Sequence, residues 1–421
     1  MKKLKKLLSV LGPGFITGAS DDDPTAIAAY TQAGAQFGYH QLWTALFTFP
    51  FMTVIQEMCG RIGMVTGKGL SGVIKRHYSK EILYAAVMLL LVANTINIGA
   101  DLGAMASSAQ LLVGIPYIFW LVGLTVLTLL LEVFVSYPKY ARFLKFLTIT
   151  FLSYVVVAFI VKQNWRQVAL STFIPYISFN KVYLLNLVAI LGTNISPYLF
   201  FWQADEEVEE EVEHHAIQGM GRGVPKVTRK DFRLLRLDTT VGMLFSNVIV
   251  FFICLTAAST LGAYGITNIE TPTQAAEALR PLAGDLSFAL FAIGILGSGM
   301  LAVPILAGSA AYALSEVFNW KEGLSKKFSQ AHGFYGIITV ATLIGLLINF
   351  TSLSPFKLLY YSAALNGILA VPLLIFILLV ANNKTVMGEH TNSHTSNILG
   401  IIITCFMALA AGALIFNIFV K

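Results

Sequence analysis

The sequence is short of charge. Of its 421 residues, 12% are Asp, Glu, Lys or Arg, about half the roughly 25% usual for soluble chains, and 56% are hydrophobic. Such a chain cannot clothe a water-facing surface, and it reads as an all-α polytopic protein of the lipid bilayer. Cysteine is scarce too. Cys59, Cys254 and Cys405 form an odd, scattered set that gives neither a disulfide framework nor a zinc spacing, so they read as small packing residues. There is no His-Glu-x-x-His, no Gly-x-Ser-x-Gly with partners and no phosphate-cradling glycine loop, which argues against an enzyme. No separate signalling domain stands out, which weighs against a sensor that binds metal without moving it. The net charge of +6 does not point to nucleic acid, because the bases fall between apolar runs. Lys2-Lys3 and Lys5-Lys6 lead into a run too long and too acidic for a cleavable signal peptide. No cofactor and no obligate protein partner is inferred.

What the chain has is long apolar runs. A spanning helix needs about 20 residues. Eleven segments qualify, near 10–37, 41–64, 82–112, 116–136, 143–161, 183–203, 237–261, 285–313, 333–350, 357–380 and 397–419. If the N-terminus is cytoplasmic and the spans alternate, 22 of the 28 Lys and Arg fall inside and 6 outside. This is the asymmetry the positive-inside rule demands. A missed span would invert everything after it and spoil the split. The expectation is a multi-pass protein of the cell membrane, N-terminus inside and C-terminus outside, with one transport domain.

The first run carries Asp21-Asp22-Asp23-Pro24-Thr25 in its middle. Each charge at mid-membrane depth costs about 2.5–3.5 kcal/mol on insertion scales, so three in a row must face water, a cation or protein. Pro24 lacks an N–H and disfavours helix at the residue before it, which predicts an interruption near Ser20–Asp23. Backbone freed at that depth is tolerated only where protein buries it or a cavity receives it. Free carbonyls beside carboxylates suit a hard cation. The sixth run repeats the pattern with Gly192-Thr193-Asn194-Ile195-Ser196-Pro197. Two interrupted helices in matching places of two five-helix halves predict an inverted repeat with a site between them. Helices 1–5 would occupy about 10–161 and helices 6–10 about 183–380, with an added eleventh at about 397–419.

Other polar groups are ambiguous. The run Asp205–His215, rich in glutamate, opens the only long charged stretch and reads as a solvated loop. His214 and His215 are adjacent rather than a turn apart and predict no metal site. Glu57 and Glu132 sit near cytoplasmic helix ends, where snorkelling or pairing would satisfy them. Asn94, Asn97 and Asp101 share a helix face and either bond between helices or line an ion route. Asn247 and Asn366 are further groups within reach.

Several motifs together resemble the Nramp divalent-metal transporters. They are Gly12-Pro13-Gly14-Phe15, Asp23-Pro24, Gln32-Ala33-Gly34-Ala35-Gln36-Phe37-Gly38-Tyr39, Arg61–Leu70 and Gln274–Leu279. The resemblance implies the LeuT-type 5+5 inverted repeat, broken helices 1 and 6, and alternating access. It also implies Asp23 as main metal ligand, with the Ser20 and Thr193 carbonyls as backbone contributors. Asp22 is added for its place beside the break. Asp21 is a weaker candidate that would cap or solvate the break instead. Thr25, Asn194 and Ser196 offer side-chain oxygens.

The departures matter as much. The family's Asp-Pro-Gly-Asn is Asp23-Pro24-Thr25-Ala26 here, and Ser196 and Tyr198 stand where its Met and His flank the sixth-helix Pro. Sulfur favours transition metals, whereas an all-oxygen site suits Mg²⁺, Ca²⁺ or Mn²⁺. The pattern is similar to the Nramp-related magnesium transporters and implies Mg²⁺, and also Mn²⁺, as transported substrate. Of the family's proton relay, Asp101 has a match, but Gln203 and Ala104 replace a His and a Glu, and the ninth helix lacks an arginine. This implies uptake without obligatory proton coupling, with Asp101, Asn97 and Asn366 along a possible ion pathway. The alternatives are a proton-coupled Mn²⁺/Fe²⁺ transporter of the family's usual kind, or a Na⁺-coupled small-solute transporter of the same fold.

Overall fold

Proline and glycine punctuate the apolar runs, and the helices follow that punctuation. The computed structural model describes residues 12–135, 143, 146–267, 269, 272–351 and 355–419. The first run is two half-helices, α1 (Pro13–Ser20) and α2 (Pro24–Phe37). Next come α3 (Trp43–Thr66), a short α4 (Leu70–His77), α5 (Lys80–Val113) and α6 (Tyr117–Phe134). A 3₁₀ turn leads into α7 (Leu152–Ile160), which α8 (Trp165–Phe173) follows. The sixth run is again divided, into α9 (Lys181–Asn194) and α10 (Pro197–Glu213). The rest are α11 (Arg229–Ser259), α12 (Pro272–Phe318, bent at Gly284), α13 (His332–Ile348), α14 (Pro355–Asn382), α15 (Lys384–Met387) and α16 (His394–Phe419). All eleven anticipated runs are helical where described, and both anticipated interruptions are present. Lys2, Lys3, Lys5, Lys6, Lys139, Arg142, Lys145 and Lys421 lie outside the described residues.

Each interruption has the same local cause. Pro24 and Pro197 both occupy the first position of the second half-helix, where a missing N–H costs nothing. Asp23 caps α2, its Oδ1 accepting from the Ala26 N–H at 2.7 Å.

The half-helices are held by backbone-to-backbone packing. A Cβ added to Gly18 would lie 2.1 Å from the carbonyl carbon of Gly242 on α11, and one on Gly192 would lie 2.4 Å from the Gly367 nitrogen on α14. Asp238 on α11 secures the start of α1. Its carboxylate accepts from the N–H groups of Gly12 (2.9 Å), Gly14 (2.7 Å) and Phe15 (3.2 Å). These are amides that a helix start leaves without partners, and a carboxylate there also complements the helix dipole.

Among the described residues, contacts between connections gather in two groups. At one end Arg61 bonds the His390 carbonyl and Asn392, Gly221 bonds Gly67, and Lys75 bonds the Val317 carbonyl. At the other, Tyr39 bonds Ser259 at 2.8 Å, Gln32 bonds the Thr267 carbonyl, and His40 stacks on Tyr176. Glu57 pairs with Arg61 (3.2 Å) and Arg236 (3.7 Å). Glu132 is buried, and its two oxygens have no hydrogen-bond partner among the described residues.

The acidic run departs from the solvated loop expected of it. Residues 205–213 continue α10, and Asp205, Glu206, Glu207 and Glu209 are buried. The cause is tertiary: α10 runs on between α3, α4 and α12, where Tyr312 of α12 donates to Glu209 at 2.9 Å.

If the Gly18–Gly242 contact sets how α1 sits, Gly18→Ala must push two backbones apart. It is expected to destabilise the protein by about 1–3 kcal/mol, the usual cost of overpacking, read as a lower thermal midpoint in detergent. An unchanged midpoint would show that the contact is slack.

Candidate metal site

The two broken helices meet at one hydroxyl. Tyr198, in the first turn of α10, places its Oη 3.0 Å from the Ser20 carbonyl at the end of α1 and 3.3 Å from Asp23 Oδ2 at the head of α2. Ser20, Asp23 and Tyr198 are all buried. The hydroxyl donates toward two of the oxygens predicted as ligands, so carboxylate, carbonyl and phenol converge between the half-helices.

Asp21 and Asp22 face elsewhere. Asp21 Oδ2 and Asp22 Oδ1 share the hydroxyl of Ser246 on α11, at 3.0 and 2.9 Å. The other oxygen of each is buried without a hydrogen-bond partner among the described residues. One hydroxyl cannot balance two adjacent buried carboxylates, since buried charge demands pairing as well as hydrogen bonds. Among the described residues no three Asp, Glu, His or Cys side chains are arranged to hold a metal by themselves. The oxygens that do gather at the break are one carboxylate, one carbonyl and one phenol.

Helix α5 supplies the next layer. Asp101 is buried, faces Thr25 and lies within electrostatic reach of Asp23. Its two oxygens, Thr25 Oγ1 and Asn366 Oδ1 have no hydrogen-bond partner among the described residues. Asn97 accepts from Ser362. Asn94 bonds the Leu306 carbonyl and Ser309 instead, an interhelical tie. Met105, one turn beyond Asp101, was not singled out by the sequence. A Cβ on Gly299 would lie 2.4 Å from its sulfur and 3.5 Å from Pro24 Cγ, so a thioether stands near the break. Nothing in the local spacing of residues announces it.

The sixth-span residues divide. Thr193 donates to the Ile190 carbonyl at 2.9 Å, and Ser196 donates to the carbonyls of Gly192 and Thr193, closing the end of α9 on itself. Asn194 is engaged by two other helices. It accepts from Tyr30 at 2.7 Å and donates to Thr48 at 2.9 Å, and Thr48 reaches Asn247 at 3.1 Å. This chain of polar groups ties α9 to α2, α3 and α11. Asn194→Ala strands the Tyr30 hydroxyl. It is expected to cost about 1–3 kcal/mol, as for a buried polar group left unpaired, with divalent-ion affinity by calorimetry unchanged. A large loss of affinity with no loss of stability would make Asn194 a ligand.

Comparison with known proteins follows the same lines. The divalent metal cation transporter MntH of Clostridium acetobutylicum is 26% identical over 434 residues, covering 97% of this chain and 90% of that protein. MntH of Caldanaerobacter subterraneus subsp. tengcongensis is 24% identical, covering 98% and 94%. The crystal structure of the Eremococcus coleocola manganese transporter superposes with a TM-score of 0.76 at 17% identity, over 99% of this chain and 89% of that one. Mhp1, a nucleobase-cation-symport-1 transporter, gives 0.60 at 13% identity, over 97% and 92%. These likenesses place the fold in the LeuT type. The family model described as natural resistance-associated macrophage protein-like matches residues 14–417, and the chain therefore belongs to the Nramp family.

Proposed function

We propose that the chain carries divalent metal ions across the cell membrane by alternating access. Mg²⁺ is the preferred ion, Mn²⁺ a second substrate, and movement is not obligatorily tied to protons. The observation that carries this reading is the meeting of Asp23, the Ser20 carbonyl and Tyr198 between two broken helices. The relatives' names supply the class of cargo, and the oxygen character of Ser196 and Tyr198, where the family has Met and His, supplies the preference for a hard ion. Asp23 is the principal ligand. Ser20 and Thr193 contribute carbonyls once their present donors move. Asp22, with Asp21 beside it, holds charge near the ion through Ser246. A membrane potential, negative inside, favours entry by about 2.3 kcal/mol per charge per 100 mV, which suffices to drive uptake. The N-terminus is assigned to the cytoplasm and the C-terminus outside. The gathering of Lys68, Lys75, Arg76, Arg222 and Lys321 at one end of the bundle supports that assignment.

A second reading, proton-coupled Mn²⁺ transport, is favoured by two observations. Asp101 is buried within reach of Asp23, a pair that could pass a proton. Met105 brings sulfur near Pro24.

Reconstituted vesicles separate the two. Asp23→Asn is expected to stay folded and to lose Mg²⁺ flux at least about tenfold, since even supporting groups of metal sites are worth about 10–100-fold. Wild-type flux in that variant would remove Asp23 from the site. In wild type, a competition series of Mg²⁺, Mn²⁺, Ca²⁺ and Zn²⁺ should rank Mg²⁺ and Mn²⁺ first, with no lumenal acidification. Acidification in step with metal would establish the second reading.

Tyr198→Phe tests the ligands from the opposite side. Removing a donor that competes for Asp23 and the Ser20 carbonyl is expected to tighten divalent binding several-fold, as read by calorimetry. Weaker binding would mean that the phenol oxygen is itself a ligand.

A further inference from the structure

The basic end of the bundle contains a cavity of about 950 Å³, at the upper end of the range for small-molecule sites. Three segments distant in sequence build it: α4 with the residues before it, the turn Gln218–Arg222, and the connection that follows α12. The turn is anchored rather than loose. The Gly221 N–H donates to the Gly67 carbonyl at 2.6 Å, and Arg222 N–H to the Gly219 carbonyl at 2.8 Å.

Around this space stand Lys68, Arg76, Lys80, Arg222 and Lys321. None of the five forms a salt bridge among the described residues. Two acids share the lining, Glu316 with Lys68 beside it and Glu322 with Lys326 beside it, which leaves Arg76, Lys80, Arg222 and Lys321 in excess. The Glu316 carboxylate is occupied by the Gly72 N–H at 2.7 Å. Burial, with Glu316 alongside, pushes the Glu322 carboxyl up to about 10, against the opposing pull of Lys326. Like charges gathered without partners around a concave space repel one another unless an anion joins them. Arg supplies a planar fork and Lys a point charge, the pair of chemistries that recognise phosphate.

We propose that this cavity binds a phosphate-bearing anion, with Arg76, Arg222 and Lys321 as its principal contacts and Lys68 and Lys80 at its margin. Trp320, also on the lining and half exposed, gives an aromatic face against which a base could rest. The site is separate from Asp23 and independent of which ion is carried. The same chemistry occurs in a soluble polyphosphate and in a lipid headgroup, and the test distinguishes them.

The purified full chain in neutral detergent, freed of divalent ions, is titrated with inorganic tripolyphosphate, then ATP, then mixed micelles containing phosphatidylglycerol. Thermal shift and calorimetry are the readouts. Saturable binding of tripolyphosphate or ATP that weakens with salt supports a soluble ligand, ATP the tighter of the two if Trp320 takes part. Binding of the lipid micelles alone supports a headgroup. In either case the triple variant R76Q/R222Q/K321Q is expected to lose affinity at least about tenfold, or about 1.4 kcal/mol, while keeping its own thermal midpoint without ligand. No binding by any probe, or equal binding by the triple variant, would overturn the site. Because no divalent ion is present, failure here says nothing against metal transport, and a loss of transport in Asp23→Asn says nothing against this cavity.

Discussion

A buried phenol bridging two helix interruptions is the interaction on which the rest of this structure turns. Polar backbone in the middle of a bilayer is tolerable only if something in the protein answers it. Tyr198 answers the end of α1 and the head of α2 together, and it does so from the first turn of the other broken span. The surrounding helices make that meeting possible. Glycine contacts bring α1 onto α11 and α9 onto α14 closely enough for side chains of ordinary length to reach. The Asn194, Tyr30 and Thr48 bonds then fix how the two broken spans are turned relative to each other.

Charge is distributed by the same logic. Asp23 is neutralised in part by its own helix, through the Ala26 amide, and in part by Tyr198. Asp21 and Asp22 have only the one Ser246 hydroxyl between them. Asp21 and Asp22 are thus less fully hydrogen-bonded than Asp23, and Asp101 behind Thr25 has no hydrogen-bond partner among the described residues.

Much of this could be read from the sequence because the strongest signals are local. An Asp-Pro or Ser-Pro step inside an apolar run breaks a helix wherever it occurs, and the Lys and Arg distribution counts spans without knowing their packing. The resemblance to a family added the class of cargo and the candidate ligands Asp23, Ser20 and Thr193. What could not be read is tertiary. The acidic stretch from Asp205 is solvated by every local rule, and it is buried because α4 and α12 close over it. Asn194 is held by Tyr30 and Thr48, partners that no local rule names. Asp238, Gly242 and Ser246 lie four residues apart on one helix face and contact α1, its packing glycine and the acidic break in turn. That spacing was visible in the sequence, but a lone acid, glycine and serine in a long helix carry no signal until the partner is known.

The grip of Asp238 on α1 bears on how motion could begin. One carboxylate holds three amides at the start of an eight-residue helix, so the three bonds share a single anchor and are lost together when it withdraws. Partial fraying of that end would gain little, because each freed amide is left behind beside a carboxylate still in place. The start of the first half-helix thus depends on a single side chain of α11, while the rest of it is held separately by the packing of Gly14 and Gly18 on Thr239 and Gly242.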